Sequence, residues 1–316
     1  MKLIKPLLIT LFMTSQFSQL NITMASDTNN DQEGVSSGIH ILSVTGEVLT
    51  PIEPSNLSLT NLAQARVAFE ENPLDPDLNI WLGRRMAYTG NYHNAIRIFS
   101  DGIEKFPNDP RFYRHRGHRY ISIRQFDHAI EDLKQAARLM EGLPNQIEPD
   151  GLPNSQNIPL TTTQGNIWYH LGLAYYLKQD WPNALDTFRK GYNLGGNDDN
   201  LVSTGHWIYM ILRLMGDEAE AVKALNDIHS EMNIIENMSY HQLCLLYKGD
   251  IKIDDMMVAD GDSPSSAAVA YGLANYFYYN GDKSRSDKLL QSIATGSSWS
   301  AFGFIAAEVD LANKKR

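Results

Sequence analysis

One pattern occurs twice between residues 76 and 139. DLNIWLGRRMAYTGNYHNAIRIFSDGIEKFPND is followed by RFYRHRGHRYISIRQFDHAIEDLKQAARLM. Ala95 and Ala129 lie 34 residues apart, as do Gly83 and Gly117, Phe99 and Leu133, and Tyr92 and Phe126. Small and large residues at fixed slots of a 34-residue period specify a helical hairpin. One hairpin cannot bury its own apolar face. It must stack on copies of itself, and at least three are needed for a continuous core.

Further units can be read along the chain. A helix is expected from about Leu59 to Glu71, stopped by Asn72-Pro73 and Asp75-Pro76. Hairpins follow at about 76–109, 110–141 and 165–196. In the third, Trp168, Leu171, Gly172, Tyr175, Trp181, Ala184 and Phe188 fill the slots. A fourth, at about 202–230, carries Tyr209 where a small residue belongs, so its helices must be spaced or angled differently. A fifth is degenerate at about 236–258, a sixth spans about 267–294, and a closing helix covers about 300–311. These residues resemble tetratricopeptide-repeat (TPR) proteins over about 59–311. The resemblance implies an all-α, right-handed superhelical solenoid that binds a protein or peptide. YRHRGHRYI, EPDGLPN, NIWYHLGLAYYL and AFGFIAAEVDLA are similar to segments of exported bacterial TPR proteins, a group without a settled activity.

The remaining segments have other characters. Residues 1–25 read as an export signal: Lys2 and Lys5, an apolar run Pro6–Met13, and Thr23-Met24-Ala25 before Ser26. The run is shorter than the roughly 20 residues a membrane span needs. A periplasmic or extracellular location follows as the expectation. Residues 26–58 read as a disordered or extended leader, and 141–164, with four prolines, as an insertion with ordered turns. Cys244, the single cysteine, falls at a small-residue slot and reads as a buried, unreactive thiol.

Charge points to a ligand surface. The chain carries a formal net charge of −10, which argues against nucleic acid. Yet Arg111, Arg114, Arg116, Arg119 and Arg124, with His115 and His118, crowd one helix without an acid. In TPR proteins four slots of each first helix face the concave groove. Matched slot by slot, they are Arg84; Arg111, Arg114, His118 and Ile121; Asn166, Tyr169, Leu173 and Tyr176; and Ser203, His206, Met210 and Arg213. Such a wall would hold an acidic peptide or chain terminus. The competing reading is internal pairing with Asp127, Glu131 and Asp132, or with Glu148 and Asp150 of the insertion, and Arg116, at an apolar slot, is its first candidate. An enzymatic alternative places a hydrolase-like site at His115, His118, Glu148 and Asp150. A third reading puts the partner on the convex face or caps, near Tyr278 and Tyr279. No phosphate loop, nucleophile elbow or His-Glu-x-x-His motif is present, so neither cofactor nor metal is expected.

Overall fold

Helices start where the side chains to cap them stand. The computed structural model describes residues 40–256 and 263–314, so residues 1–25, expected as an export signal, and residues 26–39 of the expected leader lie outside the described residues. Ile41–Leu42 (β1) pairs antiparallel with Val48–Leu49 (β2) around a turn at Gly46. Thirteen helices follow among the described residues: α1 (Asn56–Glu71), α2 (Pro76–Tyr88), α3 (Tyr92–Lys105), α4 (Pro110–Ser122), α5 (Phe126–Leu139), α6 (Thr163–Leu177), α7 (Trp181–Asn193), α8 (Asp198–Leu214), α9 (Glu218–Lys223), α10 (Met238–Lys248), α11 (Pro264–Tyr279), α12 (Lys283–Ala294) and α13 (Phe302–Lys314). Asp75, Asp109, Thr162 and Ser263 each accept a backbone N–H of the helix that follows them.

Hairpins α2–α3, α4–α5 and α6–α7 close on the same device. Gly83, Gly117 and Gly172 of the first helix face Phe99, Leu133 and Phe188 of the second. A Cβ at Gly172 would stand 2.8 Å from the Phe188 ring. The three large side chains are completely buried, and so are Ala95, Ala129 and Ala184 on the same helices. Each hairpin also turns through one left-handed residue, always at the same slot: Gly90, Arg124, Gln179, Gly216, Gly249 and Gly281. Glycine fits that conformation freely, whereas Arg124 (φ 64°) and Gln179 (φ 57°) hold it at a steric cost.

The fourth unit departs from the pattern for the reason its sequence carries. Tyr209 cannot lie under a second helix, so it stacks on Tyr247 of α10, with ring centroids 4.4 Å apart and planes 6° apart. The small residue against the second half of the unit is Gly205, facing Ile228, one turn earlier. Helix α9 is cut to six residues. The buried carboxylate of Asp199 ties down the chain that follows, accepting the backbone N–H groups of Ile235, Glu236 and Asn237 at 2.7–2.9 Å. The fifth unit keeps α10, but its second half is reduced to a 3-10 turn at Ile253–Asp255. Cys244 is fully buried in α10.

First helices of successive hairpins touch one another and form the inner, concave layer. Helix α13 packs on α11 and α12 and also reaches α6. The β-hairpin joins it: Trp299 Nε1 donates to Thr50 O at 2.8 Å, and the Trp299 ring meets Tyr92 edge-on. Among the described residues no helix is long and apolar enough to cross a membrane.

Two substitutions test this packing by urea unfolding. Gly172→Ala should cost about 1–2 kcal/mol, since overpacking against Phe188 outweighs the gain in helix propensity. Gln179→Gly should add about 1 kcal/mol by relieving the left-handed turn. Opposite signs would show that the hairpin slots do not govern stability.

Candidate ligand-binding site

The concave layer gathers the residues that the slots assign to it, but it does not leave them open. On α4, Arg111 binds Asp109 through Nε at 2.9 Å and through NH2 at 2.6 Å, and also reaches Asp77. Arg116 grips Asp132 with two hydrogen bonds of 2.7 Å and donates to Ser100. Arg114, 6% exposed, pairs with Glu148 of the insertion at 3.0 Å. Arg124 lies beyond the helix end, where its left-handed turn sends the guanidinium to Glu308 at 2.9 Å and Trp299 O at 2.8 Å. Four of the five arginines are therefore matched by the chain's own carboxylates.

The other expected groove residues pack inward too. Arg84, 8% exposed, lies over Trp81 at 4.4 Å. His118 and His170 approach to 4.2 Å between ring centroids, with Phe302 of α13 against both. Asn166 offers its carbonyl to His170 Nδ1 at 2.6 Å. Tyr169 OH accepts from Trp207 Nε1 at 3.0 Å and touches Tyr240 OH. Tyr176 OH bonds Tyr271 OH at 2.7 Å, and Tyr271 donates to Asp310 of α13. Arg213 donates to Tyr209 OH, pairs with Glu218 at 3.3 Å and covers the Tyr279 ring. Ile121, Leu173, Ser203, His206 and Met210 are buried.

An accessible arginine wall is thus corrected to a covered one, because two parts of the chain lie across the face that a ligand would approach. One is α13. The other is the insertion, whose ends pair through Ile147 and Thr162, with Glu148 N donating to Thr161 O and Thr163 N to Gln146 O. Between these ends the chain crosses α2. Gly151 O accepts from Arg85 NH1 at 2.9 Å, and Gly151 lies against the Tyr88 ring. Arg85 and Tyr88 escaped the slot assignment, since nothing in α2 alone reveals a distant loop.

Electrostatics in this interior disfavour acid–base work. Burial pushes His115, His118 and His170 well below the ordinary histidine range, and neighbouring arginines push the same way. All three are neutral at pH 7. Among the described residues no three of His, Cys, Asp and Glu converge as metal ligands.

A concavity with an apolar lining is open to solvent. It lies where α5, α6 and α7 meet the start of the insertion, and encloses about 440 Å³. Ala137, Met140, Leu143, Ile167 and Trp168 provide its apolar lining, with Arg138, Glu141, Gln164 and Lys190 at the edges. Ala136, Met140 and Ile167 form a small apolar cluster apart from the main core. Lys190 Nζ stands 5.3 Å from the centre of the Trp168 ring. Of these, Trp168 fills a slot of the third hairpin, and the start of the insertion brings Leu143 to the same pocket.

Burial also pushes the Glu308 carboxyl up to about 7, against the pull of Arg124. An acid whose folded pKa exceeds its unfolded 4.5 favours the fold most when protonated. That contribution is complete below pH 4.5 and is lost as pH rises through 7. Urea midpoints should fall over this interval more steeply for the native protein than for Glu308→Gln; parallel curves would contradict the assignment.

A tetratricopeptide-repeat family model matches residues 167–190, in α6 and α7. Among solved structures, YrrB, described as a TPR protein with an unusual peptide-binding site, is 15% identical with a TM-score of 0.41, covering 80% of this chain and 98% of that one. A tetratricopeptide repeat protein from Parabacteroides merdae is 14% identical with a TM-score of 0.45, covering 82% and 81%. No curated protein matches the sequence. Residues 167–190 are thus a tetratricopeptide repeat, and the two hairpins before it reuse its glycine and turn slots.

Proposed function

We propose that the protein is a non-catalytic scaffold that binds an acidic segment of a partner protein. The acidic-peptide reading moves from the concave groove, which the chain fills itself, to the open pocket between α5, α6 and α7. The observation that carries it is an apolar lining that also holds two cations, Arg138 and Lys190, against one carboxylate, Glu141, with Lys190 paired to Asp186 at its exposed end. Met140, Ile167 and Trp168 suit an apolar side chain, and Arg138 and Lys190 suit a carboxylate beside it. The volume falls within the usual range for ligand pockets. Leu143, 51% exposed at the edge, is an apolar surface that a bound peptide would cover.

The partner is a protein rather than nucleic acid, because the chain is acidic overall and most of the arginine-rich helix's cations are already paired. Export to the periplasm or cell exterior, supported by Lys2, Lys5 and the run Pro6–Met13, belongs to the same proposal. The hydrolase alternative finds no support in the neutral, covered histidines.

A fluorescein-labelled peptide alternating Leu with Glu should bind at low salt, measured by anisotropy. Arg138→Glu should weaken it about ten-fold, and Ala137→Trp, which fills the pocket, should do at least as much. An affinity unchanged by both substitutions would exclude this pocket.

A further inference from the structure

We propose that Arg84, Arg114 and Arg119 together form an enclosed site for one small oxyanion. This site is distinct from the peptide pocket, and neither reading rests on the other.

Three guanidiniums from α2 and α4 meet beneath the insertion. Arg84 lies flat on Trp81, and its nearest hydrogen-bond acceptor is Tyr88 OH at 3.5 Å. Arg114 spends one side on Glu148 and one N–H on His115 Nδ1 at 3.0 Å, yet its Nε is buried without any hydrogen-bond partner. Arg119 lies over the Tyr92 ring at 5.4 Å, and no ion pair holds it among the described residues. Burial lowers Arg119 to about 10, Tyr92 and Tyr88 oppose this, and Arg114 and Arg84 push it further down; beyond burial, Arg84 also pushes Arg114 down.

The charges facing this space do not balance. Glu148 is committed to Arg114, and Asp150 lies near Arg84. His115, His118 and His170 are neutral. Three cations, Arg84 and Arg114 buried and Arg119 half-buried, against two carboxylates leave a positive excess, and an unmatched buried charge is expensive. A cation would be repelled. An oxyanion offers several acceptors to guanidinium forks that have spare donors. His115 adds to the fit: its Nδ1 accepts from Arg114, so its proton sits on Nε2. The insertion crosses here, with Glu148 on Arg114 and Gly151 on Arg85 and Tyr88, which favours a small ion over a chain.

Calorimetry of the full protein with inorganic phosphate, and separately with sulfate and acetate, at fixed ionic strength set by chloride, tests this. One equivalent should bind at saturation and raise the melting temperature. Arg119→Gln and Arg84→Gln should each weaken binding at least ten-fold. Arg111→Gln, one turn from Arg114 but paired with Asp109 and Asp77, should bind as the native protein does. Glu148→Gln should tighten phosphate several-fold while lowering the melting temperature in chloride alone; a merely structural ion pair would lower the melting temperature and leave phosphate affinity unmoved. Saturation separates site binding from the general stabilisation by phosphate and sulfate, which grows without limit. Absence of saturable binding for all three anions, or equal binding by Arg119→Gln and Arg84→Gln, would overturn the proposal.

Discussion

A large side chain seated over a glycine of the partner helix is the interaction on which the array depends. Phe99 over Gly83, Leu133 over Gly117 and Phe188 over Gly172 set the distance between helices, and the left-handed residue at each turn sets their direction. Both are local, so each hairpin reproduces them independently. Stacking then needs only matching outer faces. Where Tyr209 occupies the glycine slot, the second helix shortens and the exposed backbone turns to Asp199 for its hydrogen bonds. The defect stays inside its own unit, and α11–α12 resume the pattern with full-length helices.

Stacking hairpins leaves a concave surface that shape alone does not fill. Here α13 and the insertion cover it, with the β-hairpin held beside α13. Arg124 joins these parts: its strained turn aims the guanidinium at Glu308 and Trp299, and Trp299 in turn holds Thr50. A glycine would turn as easily at position 124 but would join nothing. The steric cost at this slot is accepted for a connection between residues 175 or more positions apart.

The arginine-rich helix explains why composition misleads about access. Charge counted along α4 suggests a cationic surface. Folded, Arg111 and Arg116 pair with neighbouring helices, Arg114 with the insertion and Arg124 with α13. What is left is a small interior surplus around Arg84 and Arg119. The open concavity lies elsewhere, beside Met140, Ile167 and Trp168.

Period and slot residues alone determined that this chain is an all-α stack of hairpins, because those features act over a few turns of helix. Positions of the units, the anomaly at Tyr209 and the burial of Cys244 follow from the same short-range rules. Which residues face water was decided only by tertiary structure. Glu148, Glu308 and Phe302 come from segments whose own sequence gives no period and whose partners lie 34 to 184 positions away. Occupancy of the concave face is a long-range packing outcome, and local patterns of hydrophobicity and charge contain no information about which distant segment will arrive there.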